Sequence, residues 1–115
     1  MIDADRDASI ADIRASVAAL CARYGEEYWR RLDADQGYPT EFVTEMTEAG
    51  FLGALIPEEY GGAGLGLLEA AAILEEISHR GAHAGACHAQ LYVMGVLLRH
   101  GSAAQKSEWL PKIAT

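Results

Sequence analysis

Apolar residues recur along this chain at three- and four-residue steps, the spacing of one face of an α-helix. The first such stretch holds Ile10, Ile13, Val17, Leu20 and Tyr24. Ser9 precedes it and Asp12 follows three residues later, a variant capping box that predicts a helix start at Ser9. Gly25 stops this helix, and Glu26 and Glu27 suit the positive end of a second. The second is expected to run to about Gln36, with Tyr28, Trp29 and Leu32 as its apolar residues, and to end at Gly37. Pro39 fits the first turn of a third helix, with Phe42, Val43, Met46 and Ala49 facing inward and Gly50 as its stop. The run FLGALIP at 51–57 has the apolar character of a buried strand but no second strand to pair with. It is read as a buried extended connector.

After a glycine cluster, residues 67–78 predict a fourth helix. Leu68, Ala71, Ala72, Leu74 and Ile77 are its apolar residues, and Glu69, Glu75 and Glu76 mark its outer side. Gly81 ends it. Residues 83–99 form a fifth helix that is apolar on nearly every side, the pattern of a central, buried helix. Ser102 and Gln105 make a capping box for a sixth helix with Trp109, Leu110 and Ile113. Pro111 lies inside that pattern and is expected to kink or end it. Six helices with short connections and no strand pair predict an all-α fold, an irregular bundle with a central buried helix.

Length and charge sharpen this picture. At 115 residues the chain is one domain at most, 1–115. Residues 1–59 carry 13 Asp/Glu against 5 Lys/Arg, a net of −8, while 60–115 carry 4 against 4, a net of zero. The stretch IPEEYGGAGLGLLE at 56–69 therefore joins an acidic half to a neutral, apolar one. No basic stripe exists to neutralise nucleic-acid phosphates or meet an anionic membrane. The longest apolar run, 91–98, is too short to span a bilayer. The acidic start MIDADRDASI has no apolar core of a secretory or transit signal, so a cytoplasmic protein is expected. Cys21 and Cys87 sit in apolar helical patterns and read as reduced, buried thiols.

Several patterns invite chemistry. A glycine-rich turn feeding a helix offers backbone N–H groups to an anion. Here no Gly-Lys-Ser/Thr end follows, and the spacing Gly62, Gly64, Gly66 does not match the dinucleotide fingerprint after a strand. The preferred reading is a tight bend with several positive-φ residues. His83 and Cys87 stand four apart, the spacing of a metal-binding pair. With no carboxylate near them in sequence, no metal site is assigned. Glu58, Glu59 and Glu69 lie near the loop and could act as a base only if buried; Glu58 and Glu59 read as a solvated turn. No nucleophile triad can be proposed. On the fifth helix, Ala84, Gly85, His88, Tyr92 and Gly95 share one face. Small residues with one or two polar handles leave room there for an apolar ligand, or for close packing of another helix.

Taken together, these segments resemble the N-terminal helical domain of the acyl-CoA dehydrogenase family. The matching segments are EFVTEMTEAGFLGALIPEEYGGAGLGLLEAAAILEEIS at 41–78 and HAQLYVMGVLLRHGSAAQKSEWLPKIA at 88–114, with EEYWRRLDADQGYP at 26–39 in keeping. IPEEYGGAGLG and HGSAAQKSEWLPKIA are the most specific. The resemblance covers the chain from about Ser9 onward. It implies the first of three domains, before a middle β-domain and a C-terminal helical bundle. It implies the chemistry of fatty acid metabolism: a glutamate base takes the α-proton of an acyl-CoA thioester while the β-hydride passes to FAD. The segments for the β-domain and the base-bearing bundle are not seen in this sequence, so the resemblance transfers no catalytic residue and no flavin-binding residue. It does imply a wall of the acyl pocket on the fifth helix, at Ala84, Gly85, His88 and Tyr92.

The expectation is thus a domain that covers a flavin site and lines an acyl pocket, without dehydrogenase activity and with weak or no FAD binding as this chain alone. Its expected partners are acyl-CoA and the remaining domains or homo-oligomer subunits, not nucleic acid or membrane. The alternatives are a stand-alone helical interaction module, or the same domain of a related flavin monooxygenase or oxidase.

Overall fold

The structure is a computed structural model that describes residues 4–115. The described residues form six helices and no strand. They are α1 (Ala4–Cys21), α2 (Glu26–Asp35), α3 (Thr40–Glu48), α4 (Leu67–His79), α5 (Gly85–His100) and α6 (Ala103–Ala114). The all-α fold and its six helices are those expected from the periodicity. The glycine stops are in place: Gly50 and Gly81 take left-handed φ values of 85° and 80°. At the end of α2 the left-handed position is Gln36, φ 52°, one residue before the expected Gly37.

Several expectations are corrected. Helix α1 starts at Ala4, not Ser9, and Ser9 is an exposed residue of its interior. The acidic side chains Asp5 and Asp7 favour the earlier start through the helix dipole. The apolar run at 51–57 is buried but not extended. It folds into a 3-10 turn at Phe51–Gly53, with a second at Glu58–Tyr60. Bonds from Gly53 N–H to Gly50 O (3.3 Å) and from Ile56 N–H to Gly53 O (3.1 Å) pair its backbone locally, which an isolated extended segment in the core could not do. Helix α6 continues through Pro111 to Ala114. Leu110 is fully buried, Gln90 Nε2 donates to Ile113 O at 3.1 Å, and these contacts hold the last turn past the lost backbone bond. The capping box at its start is intact, with Gln105 N–H donating to Ser102 Oγ and Ser102 N–H to Gln105 Oε1.

The fifth helix, expected to be central, touches α4, α6 and the turn at Phe51–Gly53, but the most buried helix is α4, which packs on α1 and on α5. Helix α5 buries only Cys87, Leu91 and Met94, and leaves Tyr92, Val93 and Val96 more than half exposed. The inward face of α4 also differs from expectation. Glu69 and Glu76, expected outside, are buried at 7% and 6% exposure, while Leu68 and Ala71 face solvent.

Two apolar cores hold the helices. One joins Val17, Phe42, Met46, Leu52, Ile73 and Ile77, and the other joins Ile56, Leu91, Met94 and Leu110. Helix α2 buries no residue fully. It is attached by an aromatic cluster in which Trp29 meets Phe42 edge-to-face at 5.0 Å and Tyr28 meets Tyr24 at 4.8 Å.

The assembly is a slab of 42 × 36 × 19 Å. Helices pack about 8–10 Å apart, so 19 Å is two helix layers. A self-contained monomer of this mass exposes roughly 6,100 Å²; this chain exposes 7151 Å². The excess is consistent with the uncovered apolar side of α5.

Candidate functional site

Helix α5 begins at Gly85, so His83 lies before it. The imidazole Nδ1 of His83 accepts the Gly85 N–H at 3.1 Å and satisfies one of the free donors of the first turn. From there Gly85, His88 and Tyr92 follow at three- and four-residue steps on one exposed face. The His88 and Tyr92 rings meet edge-to-face, centroids 5.2 Å apart and planes at 70°. Val96 continues the same exposed face one turn on. Helix α5 carries no Asp or Glu, and this largely apolar face ends at exposed Arg99, one turn past Val96.

The four residues expected on this wall are therefore not all together. Gly85, His88 and Tyr92 share the open face. Ala84 is the residue before the helix, half-buried against the larger core. Gly95 is half-buried, and no atom lies within 4 Å of where its Cβ would stand. Close packing of another helix on these small residues is not what the described residues do.

Gly85 also borders a cleft of about 760 Å³, lined by Trp29, Leu32, Tyr38, Pro39, Ala82, His83 and Ala86. The cleft lies between the end of α2 and the α4–α5 connection. Sequence reading missed it because its walls are 50 residues apart in the chain. Trp29 turns its Nε1–H to Tyr24 O at 3.0 Å and presents its ring to packing.

The glycine loop is a closed structure. Gly61 and Gly64 take positive φ values of 89° and 63°, the bend expected from the cluster. A Cβ on Gly62 would stand 2.1 Å from Ile56 O, so only glycine allows this close approach. The loop N–H groups are spent on backbone carbonyls: Gly62 on Pro57 O, Ala63 on Gly53 O, Gly64 on Ile56 O and Leu65 on Ala54 O, at 2.8–3.2 Å. At the start of α4, Glu69 Oε2 accepts the Gly66 N–H at 3.1 Å. Gly66 has no side chain to return the bond, so this is half of a capping box. Anion binding by these N–H groups would first have to break those bonds.

The remaining candidates separate in space. Cys87 is fully buried while His83 is exposed, and the described residues contain no group of three His, Cys, Asp or Glu able to hold a metal. Burial, and then the nearby Cys21, push the Cys87 thiol up to about 11; Cys21 is raised as well, again mainly by burial. Both cysteines are free and buried, in keeping with the expectation. Glu58 and Glu59 are exposed, as a solvated turn requires. Glu69 and Glu76 are the carboxylates that do go inside, and both meet arginines. Arg6 Nε lies 2.9 Å from Glu69 Oε1, Arg14 Nη1 3.5 Å from Glu76 Oε2, and Arg80 Nε 2.8 Å from Glu76 Oε1. The available signal was spacing: Arg6 and Arg14 are two helical turns apart, as are Glu69 and Glu76.

The glycine-loop donors are engaged by backbone carbonyls. What α5 presents is an exposed, largely apolar face. No helix among them is long and apolar enough to cross a membrane.

Comparison with known proteins gives a consistent picture. The family model described as acyl-CoA dehydrogenase, N-terminal domain, matches residues 8–115. An acyl-CoA dehydrogenase of Mycobacterium tuberculosis is 34% identical over 103 residues, covering 89% of this chain and 26% of the relative. The mitochondrial short-chain specific acyl-CoA dehydrogenase of Mus musculus is 41% identical over 83 residues, 70% of this chain and 20% of its own length. A glutaryl-CoA dehydrogenase of Desulfococcus multivorans is 39% identical over 89 residues, 72% of this chain and 23% of its own length. The chain thus spans about a quarter of the length of such relatives or less. No solved structure matches it.

Proposed function

The chain belongs to the acyl-CoA dehydrogenase family through its N-terminal helical domain, and from that premise we propose that the open face of α5 is one wall of an acyl-thioester site in an FAD-dependent oxidoreductase. On this reading Gly85, His88 and Tyr92 border the acyl chain, and Ala84 backs the turn that carries them. The observation that carries it is the uncovered apolar face itself. Its residues Gly85, His88 and Tyr92 lie on a regular helix, none is a carboxylate, lysine or arginine, and all three are exposed. Covering such a face with an alkyl chain removes apolar surface from water, which contributes about 25 cal/mol per Å².

The role of these residues is to bind and orient the acyl group and to exclude water. When bound, FAD would supply the hydride acceptor. No residue described here fits as its holder, so the flavin site and the base belong to the rest of such an enzyme, with a cytoplasmic location as part of the same proposal. A middle β-domain and a C-terminal helical bundle would complete it. The chain alone is expected to purify without stoichiometric flavin and to have no dehydrogenase activity. Bound yellow flavin at one per chain would overturn that.

The direct test is two-dimensional NMR of the chain with octanoyl-CoA, using free CoA as the reference. Shifts confined to Gly85, His88, Tyr92 and their neighbours, seen with the thioester and not with CoA, support the wall. No thioester-specific shift on α5 rejects it. The second reading, a stand-alone helical interaction module, draws on the same exposed Tyr92, Val93 and Val96. It predicts a native protein of 12.3 kDa that captures a protein partner through α5, and no response to the thioester.

A further inference from the structure

The first two turns of α1 are attached to the molecule in a different way from the rest of it. Over residues 4–12 no side chain is buried, and only Ile10 is half-buried. The fully buried residues of α1, Val17, Leu20 and Cys21, all lie in its second half. A helical segment this short is marginal without tertiary contacts. An ion pair ties it to the body. Arg6 meets Glu69 through two bonds, Nε to Oε1 at 2.9 Å and Nη2 to Oε2 at 3.2 Å. Further on, Arg14 lies between Glu75 and Glu76, 3.2 and 3.5 Å away, and also donates to Ala72 O at 3.5 Å.

Glu69 has a second task. The same Oε2 that receives Arg6 also accepts the Gly66 N–H at 3.1 Å, where the glycine loop enters α4. One carboxylate, itself buried, therefore joins three elements: α1, α4 and the loop. A Cβ placed on Gly66 would stand 3.1 Å from Glu69 Oε2 and 3.4 Å from Arg6 Nη2, so the loop entry, carboxylate and guanidinium are in direct contact.

We propose that residues 4–12 are an electrostatic strap, closed by Arg6 on Glu69, and that Glu69 couples the strap to the conformation of the glycine loop at 61–66. The coupling is asymmetric. Losing the guanidinium frees the strap but leaves Glu69 able to cap Gly66. Losing the Glu69 side chain frees both strap and loop entry. Opening uncovers the start of α4 without touching the two apolar cores, so it is a local transition below global unfolding. The proposal is independent of what binds α5.

Hydrogen–deuterium exchange of the full chain tests it with three variants. In Arg6→Ala and in Glu69→Gln, whose amide oxygen still caps, exchange over 4–12 rises about tenfold, the loss expected for a hydrogen-bonded charge pair. Exchange of the amides of 62–66 stays at the wild-type rate. In Glu69→Ala both segments exchange faster. Unchanged exchange over 4–12 in Arg6→Ala overturns the strap. Unchanged exchange over 62–66 in Glu69→Ala overturns the coupling. A uniform rise across α3, α5 and α6 in all three overturns both, because it reports global destabilisation. Arg6 is half exposed, so its removal leaves the cores intact and the first arm of the test stands even if Glu69→Ala fails to fold.

Discussion

Arg6 and Glu69 are 63 residues apart in the chain and meet through two nitrogen–oxygen contacts of 2.9 and 3.2 Å. The carboxylate is almost fully shielded and the guanidinium half exposed. A shielded charge is tolerated only when paired and hydrogen-bonded, and Glu69 is both. Glu76 repeats the arrangement two turns along α4 between Arg14 and Arg80. The two pairs are in the same order along both helices, which places α1 and α4 side by side in one direction.

These pairs make stability fall in acid. Hydrogen bonding from Arg6 holds the Glu69 carboxyl below the ordinary carboxylate range, and that from Arg80 does the same for Glu76. With the folded-state pKa lowered, the unfolded chain takes up the proton first. The contribution is complete above the unfolded pKa of about 4.3 and is lost as pH falls through the folded values. Thermal melts are expected to hold level from pH 8 to about 5 and to drop below it. Arg6→Ala should lose less stability over that acid range than wild type. An equal acid slope in the two would show that the pair is not its source.

Phe42 is the anchor of α2. It is fully buried and takes edge-to-face contacts from Trp29 and Tyr24 at 5.0 and 5.4 Å. Phe42→Ala is expected to cost about 3–5 kcal/mol, read as a lower urea midpoint. Trp29 fluorescence should report α2 loosening before the main transition. A cost under about 1 kcal/mol would mean that α2 is held by something else.

Three glycines should separate by mechanism. Gly62→Ala forces a Cβ to 2.1 Å from Ile56 O and is expected to cost about 2 kcal/mol or more, since backbone must move. Gly64→Ala makes only ordinary contacts, 3.5 Å to Glu58 Cγ, but keeps φ at 63°, costing about 1–2 kcal/mol. Gly25→Ala has an ordinary φ of −76° and no atom within 4 Å, and should change stability by less than about 0.5 kcal/mol. Chemical denaturation gives the order, and a neutral Gly62→Ala would contradict the loop geometry.

The thiols should be silent in the native state. With the Cys87 thiol near 11, roughly one in a thousand is thiolate at pH 8, and the side chain is fully buried. A disulfide reagent is expected to modify Cys21 and Cys87 only at the rate of unfolding. Prompt reaction of either at pH 8, without denaturant, would place that cysteine at the surface.

The positions of the helices were legible in the chain because they are written in local terms. Gly50 and Gly81 stop helices by left-handed φ, Ser102 and Gln105 cap α6 reciprocally, and the segments at 41–78 and 88–114 resemble one family in the right order. These features depend on neighbours a few residues away. The open face of α5 was legible only in part. Gly85, His88 and Tyr92 share it by helical spacing alone, whereas Ala84 stands just before the helix, which begins two residues later than the pattern suggests.

Which faces turn inward was decided by the tertiary structure. Helix α4 has apolar residues on two sides, Leu67, Leu68 and Ala71 on one and Ala70, Ile73 and Ile77 on the other. Hydrophobicity alone did not choose between them. The choice depends on Arg6 and Arg14, about 60 residues upstream, which neutralise Glu69 and Glu76 and so permit the face that carries them to be buried. Likewise α5 is apolar enough to be central, yet it stays half uncovered because the described chain is only two helix layers thick. Sequence determined where this chain is helical and which family it belongs to, because periodicity, caps and motif order are local. Burial depends on partners that only folding brings into contact.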